Sequence, residues 1–192
     1  RQTRGIESHV GDMVGTRAVS DEDLARLPKD GRKYELVDGE IQVSPAGYRH
    51  GLVIIRLIGR LWGFVAERKL GDVLDSSTGF RLPAGNVRSP DVSFVATGRV
   101  LGDPPTGFAE FAPDLAVEVL SPGDDPRQVM DKVGEYLRAG VRLVWVIDPE
   151  ERRAAVYRSP SDVQEVGEDG VLDGEDVVPG FRALSVEPRG GP

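Results

Sequence analysis

Cysteine is absent from this chain. That excludes a disulfide framework and a thiolate metal centre, and it agrees with a cytoplasmic setting. Any metal would have to sit on oxygen ligands, which favours Mg²⁺ or Mn²⁺ over zinc. Long apolar runs are missing as well. The longest, Leu52 to Ala66, is broken by Arg56 and Arg60, so no membrane span is expected. The first residues, from Arg1 onward, carry no signal-peptide pattern. A positive surplus is also lacking: Lys and Arg total 24 against 32 Asp and Glu, a net charge of −8. Proteins that grip DNA along its backbone use clustered Lys and Arg to displace counterions. This balance therefore weighs against broad electrostatic binding of nucleic acid. Two things offset it: carboxylates of a metal site are neutralised when the ion binds, and Arg49, Arg56, Arg60, Arg81 and Arg88 could form a local basic face.

What is present describes an ordinary globular chain. Hydrophobic residues make up 39% and charged residues 29% of 192, enough for one domain with a useful core. Residues 1–19 lack periodicity and are expected to form a loose arm, leaving residues 20–192 as the domain. Ser20-Asp-Glu-Asp23 reads as a capping box opening a short helix. Lys33 to Val37, Asp38-Gly39 and Glu40 to Val43 spell a hairpin, because Asp-Gly tolerates the positive φ angles of a type I′ turn. Tyr48 to about Lys69 predicts a long helix carrying Leu52, Ile55, Ile58, Leu61, Trp62 and Val65, with Gly71 as its C-terminal cap. Short strands are expected at Val73-Leu74, Phe80 to Leu82 and Asp91 to Val95. Asp124-Asp-Pro126 opens a helix to about Ala139, closed by Gly140. Apolar strands at 115–120 and 142–148 bracket that helix, a βαβ unit whose strands should be parallel. The tail holds three more short strands, at Ala154 to Tyr157, Val163 to Val166 and Leu184 to Val186.

The chemistry concentrates in Asp114-Leu-Ala-Val-Glu-Val-Leu-Ser-Pro122, where Glu118 interrupts a strand that reads as covered on both faces. A carboxylate there is expensive without a cation or hydrogen bonds. Side chains alternate along a strand, so Glu118 shares a face with Ala116 and Leu120. Asp91 heads another apolar strand. If the two strands are neighbours, both carboxylates meet at one end of a sheet and can share a divalent cation, which polarises a phosphate oxygen and acidifies bound water. Lys132 follows on the helix. At roughly 100° per residue it falls about 40° beyond the Tyr136 edge of an apolar arc about 120° wide. From that border an ammonium can reach past its stem toward the sheet and stabilise charge on a phosphoryl transition state. Each residue also has a plain structural reading. Glu118 could pair with a core arginine, Asp91 could serve as a turn or cap residue, and Lys132 could pair with Glu135 along its helix. Glu35 is either a third carboxylate or part of a solvated strand face, and His50 is either a site residue or a cap-region residue.

The ordered set Tyr34-Glu-Leu-Val-Asp-Gly-Glu40, His50, Ser89-Pro-Asp91, Pro113 to Pro122, Lys132 to Val141 and Val144-Trp-Val-Ile-Asp-Pro149 resembles the Uma-type restriction endonuclease family. That family lies within the PD-(D/E)XK nuclease superfamily. The resemblance runs over roughly residues 20 to 186 and is more specific than any one piece. It implies a restriction-endonuclease-like α/β fold, a mixed sheet flanked by helices, with a Mg²⁺-type site at Asp91 and Glu118. Glu35 matches the early glutamate that many superfamily members place beside the metal. The superfamily's usual Glu-x-Lys is missing, since Leu120 stands in the third position; the lysine is shifted to the helix, as Lys132. Relatives of this kind often form homodimers, an arrangement that suits two-stranded DNA.

Three functions follow, in order of support. The first is a metal-dependent endonuclease acting on DNA, with Asp91, Glu118, Lys132, Glu35 and His50 as site residues. The second is a nuclease-fold domain without catalysis, serving binding or assembly, which the acidic balance and missing Glu-x-Lys favour. The third is hydrolysis of a small phosphorylated or glycosidic substrate by paired carboxylates, which leaves Lys132 without a task.

Overall fold

In the computed structural model of the chain, residues 19–28, 33–44, 47–100 and 102–185 are described. Local signals set the first elements. The Ser20 hydroxyl accepts from the Asp23 N–H and the Asp23 carboxylate accepts from the Ser20 N–H, closing the capping box of α1 (Asp21–Ala25). Next, β1 (Lys33–Val37) and β2 (Glu40–Ser44) pair antiparallel. Their turn has φ 51° at Asp38 and 81° at Gly39, the two positive values of a type I′ hairpin. The expected arm over residues 1–19 lies outside the described residues except for Val19, whose N–H donates to the Gly39 carbonyl.

The long helix, α2 (Tyr48–Arg68), buries Leu57, Leu61 and Val65, a stripe at four-residue intervals. Ile55 and Trp62 belong to its opposite, exposed side. The expectation that Gly71 caps this helix is corrected. Lys69 closes it in the left-handed conformation at φ 54°. Gly71 instead opens β3 (Gly71–Asp75), pairing with Ala96. A Cβ at Gly71 would lie 2.0 Å from the Val95 carbonyl oxygen. Glycine is there because another backbone passes too close for a side chain, not because the helix needs a cap.

The chain continues through β4 (Phe80–Arg81), β5 (Val87–Arg88), β6 (Val92–Ala96), β7 (Leu115–Val119), α3 (Pro126–Arg138), β8 (Leu143–Asp148), β9 (Arg153–Ser159) and β10 (Asp162–Val166). The last described elements form a two-stranded ribbon, β11 (Val171–Asp173) with β12 (Arg182–Leu184). β12 is the expected Leu184 strand displaced upstream, Val186 lying outside the described residues. Six strands form the central sheet in the order β10-β9-β8-β7-β6-β3, and four form a smaller sheet in the order β2-β1-β5-β4. Within the central sheet β7 and β8 run parallel, as the βαβ reading requires, and the other pairs are antiparallel. Helices cover both faces. Leu57, Leu61 and Val65 of α2 pack with Phe94, Val117 and Trp145; Val133 and Tyr136 of α3 pack with Ala116, Val144 and Val146.

Candidate active site

The site forms where the chain leaves the small sheet for the central one. Ser89, Pro90 and Asp91 link β5 to β6. Val92 pairs with Val117, and continuing that antiparallel register by one residue sets Asp91 opposite Glu118. Cross-strand neighbours have Cβ atoms about 5 Å apart, so register alone brings together two acids distant in sequence. Glu118 shares the face of Ala116, which packs against α3. That is why α3 supplies its partners: the Lys132 ammonium lies 3.0 Å from Glu118 Oε2 and the Tyr136 hydroxyl donates to Oε1 at 2.7 Å. Lys132 and Tyr136 stand four residues apart, one helical turn.

Glu35 enters from β1. It accepts from the Ser89 N–H at 2.8 Å, receives Lys132 at 3.2 Å, and lies 3.8 Å from the Arg88 guanidinium. It is buried, so the solvated-face reading does not hold. His50, in the first turn of α2, places Nε2 3.2 Å from Asp91 Oδ2. Its Nδ1 is buried with no hydrogen-bond partner among the described residues, and because a carboxylate only accepts, Nε2 is the donor to Asp91. All five residues singled out in the sequence therefore converge. The pairing of Lys132 with Glu135 is not what forms. Glu135 receives Asn86 and Arg88 instead, at 2.6 and 2.5 Å.

Two residues that bear on the chemistry went unflagged in the sequence. Tyr136 reads there as part of an apolar arc, and its hydroxyl gives no periodic signal. Lys33 looks like an ordinary lysine at a strand start. In the structure its ammonium is 2.8 Å from Asp91 Oδ1 and 4.0 Å from Glu118 Oε2, bridging the two acids.

Burial and charge divide the acids. Burial alone would raise Asp91, but the His50 contact, the Lys33 ammonium and the Val119 N–H at 2.8 Å outweigh it and hold the carboxyl well below the ordinary range. Glu35 is likewise lowered: burial opposes ionisation, and Lys132, Lys33, the Ser89 N–H and Arg88 overcome it. Glu118 goes the other way. Its burial pushes the carboxyl up, aided by Asp91 and Glu35 and opposed by Lys132 and Lys33. Burial also raises the Tyr136 hydroxyl, with the Glu118 charge adding to it, so the phenol stays a neutral donor. Desolvation would lower Lys33, yet the charges of Glu118, Asp91 and Glu35 raise it. Neighbouring acids pushed in opposite directions are a recurring mark of functional sites.

The group opens onto a cleft of about 1300 Å³, lined among others by Lys33, Glu35, His50, Asp91, Glu118 and Lys132. Of the five arginines expected to form a local basic face, three are drawn into pairs with acids. Arg88 is buried between Glu35 and Glu135, while Arg49 and Arg81 are engaged by Glu150 and Glu110. Among the described residues no helix is long and apolar enough to cross a membrane.

Comparison with known families decides the class. Residues 21–187 match the Uma2 family, whose description reads "Putative restriction endonuclease". The chain belongs to the Uma2 family. A similar solved structure is that of a "putative nuclease belonging to DUF820" from Anabaena variabilis. It is 19% identical, with a TM-score of 0.77, over 87% of this chain and 95% of that one. At that identity the likeness concerns the fold, which is restriction-endonuclease-like. No curated protein matches. The Uma2 match begins at the capping-box helix and runs past β12, so it takes in every residue of the site described above.

Proposed function

We propose that this Uma2-family chain is a metal-dependent endonuclease that hydrolyses phosphodiester bonds in DNA, with residues 20–192 as its single domain. One observation carries the reading: Asp91 and Glu118 face a common cationic centre, now the Lys33 ammonium at 2.8 and 4.0 Å, with a second ammonium from Lys132 beside Glu118. Their hard oxygens suit Mg²⁺ or Mn²⁺. Among the described residues no three His, Asp or Glu side chains gather as a ready metal cage. The ion would thus be held by Asp91 and Glu118, with water and substrate completing its shell, as Mg²⁺ commonly accepts. Such an ion polarises a phosphate oxygen and acidifies bound water.

The chain's own groups do the rest. Lys132, held between Glu118 and Glu35 at 3.0 and 3.2 Å, presents positive charge to the phosphoryl oxygens as negative charge builds there. Glu35 positions that ammonium, and His50 with the Val119 N–H fixes the Asp91 carboxylate. Homodimerisation and a cytoplasmic setting belong to the same proposal, the first resting on the family resemblance and the second on the lack of cysteine. Supercoiled plasmid incubated with Mg²⁺ or Mn²⁺ tests the core claim. Glu118→Ala should nick at least about a hundredfold more slowly than wild type; equal nicking by both defeats the assignment.

The missing Glu-x-Lys favours a second reading, a non-catalytic binding or assembly module. That module predicts no nicking by wild type and no Mn²⁺ binding that depends on Asp91.

A further inference from the structure

We propose that Lys33 is the resident counter-ion of the site: its ammonium holds the position between Asp91 and Glu118 that a divalent cation takes, and the ion binds by displacing it. This rests on the metal-dependent reading above and adds a device that sets how tightly the ion is held.

Position is the first argument. Lys33 contacts Asp91 Oδ1 at 2.8 Å and stands 4.0 Å from Glu118 Oε2, whereas Lys132 bridges a different pair, Glu118 and Glu35. Both lysines approach Glu118 Oε2, but Lys33 is the one that also reaches Asp91 and so lies between the two acids proposed to hold the ion. Two cationic centres cannot crowd the same two carboxylates without strong repulsion.

Charge balance is the second. Three carboxylates, Glu35, Asp91 and Glu118, face two ammonium groups, Lys33 and Lys132, and Arg88 is already matched by Glu135 at 2.5 Å. Adding a divalent ion while both lysines stay would leave positive charge in excess in a desolvated cluster. Releasing Lys33 as the ion enters makes the cluster neutral.

Tethering is the third. Each acid is held by a donor other than Lys33: Asp91 by the Val119 N–H, Glu35 by the Ser89 N–H, Glu118 by the Tyr136 hydroxyl. Lys33 reaches in from β1 on a flexible four-carbon stem that lines the cleft. The acids are fixed and the ammonium is the part that can leave. Once displaced it stays within the cleft, where an incoming phosphate would meet it.

Two measurements test the proposal. In wild type, acetylation of lysines by an N-hydroxysuccinimide ester is followed by mass spectrometry with and without Mn²⁺. Lys33 labelling should rise several-fold with Mn²⁺, while exposed Lys69 stays constant. By calorimetry, Lys33→Met should bind Mn²⁺ about tenfold or more tightly than wild type, the size expected of a competing internal group; Lys33→Arg, which keeps the charge, should show no gain. Mn²⁺ binding to wild type that leaves Lys33 labelling unchanged overturns the counter-ion role, as does equal or weaker binding by a folded Lys33→Met. If neither wild type nor Lys33→Met binds Mn²⁺, the metal-dependent reading itself falls, and this one with it.

Discussion

Each buried acid of the cluster draws its partners from other parts of the chain: Asp91 from Lys33 and His50, Glu118 from Lys132 and Tyr136, Glu35 from Lys132 and Ser89. Removing one partner leaves a charge stranded in a poorly solvated place, which is far more damaging than losing a surface ion pair. The same arrangement dictates an acid response. Asp91 and Glu35 have folded values below the ordinary carboxylate range. Their contribution to stability is complete above the unfolded value of about 4 and is lost as pH falls through the folded value. Glu118, raised by burial, contributes with the opposite sign and loses its part as pH rises through its folded value. In metal-free protein, urea midpoints should therefore drop as pH is lowered below about 4, and Asp91→Asn should flatten that drop. Parallel pH profiles for the two proteins would show that Asp91 is not held by these partners.

Among the elements, the decisive one is the β6–β7 pair. Its register sets Asp91 against Glu118, and a slip of one residue would turn one acid to the opposite face of the sheet. α3 adds Lys132 and Tyr136 from adjacent turns on the face that Glu118 shares. β3 closes the sheet beyond β6, and Gly71 is what lets it approach. Gly71→Ala should cost about 1–3 kcal/mol, since the new methyl meets the Val95 carbonyl and the backbone conformation disfavours a side chain. A lowered denaturant midpoint at unchanged m-value would report it. A change under about 0.5 kcal/mol would mean that the strand end shifts freely.

Over the whole molecule, charge sets the terms on which nucleic acid can be met. The net charge is −8, and the cleft itself is lined by eight acids against four lysines and arginines. A polyanion would be repelled there until bound cations offset the acids, which gives the proposed metal a binding role besides a chemical one. Few phosphates can be neutralised by such a surface. Anisotropy titrations of a DNA duplex with Mn²⁺ should then give a shallow salt dependence, log K against log salt of about −2 to −3. A slope steeper than about −6 would mean that many more phosphates are neutralised than this charge balance predicts.

The elements legible in the sequence are those governed by neighbours along the chain. The Asp38-Gly39 hairpin, the Ser20 box, the α3 start at Pro126 and the apolar β7 and β8 follow from turn chemistry, capping and patterning. Glu118 announced itself for the same reason, as a charge where the pattern demanded none. β5 and β11, two and three residues long, are too short for any period to register. Gly71 misled because glycine serves caps and close strand contacts alike, and Lys69 took the left-handed position itself.

What the sequence by itself determined is the list of local elements and the pair of acids that had to find cations. What only the tertiary structure decided is which cations they found. Lys33 lies 58 residues from Asp91, and Arg88 lies 47 from Glu135. Nothing within a turn or a strand links such pairs. They meet because the small sheet is laid beside the central one, and partner choice across that junction depends on three-dimensional packing rather than on spacing along the chain.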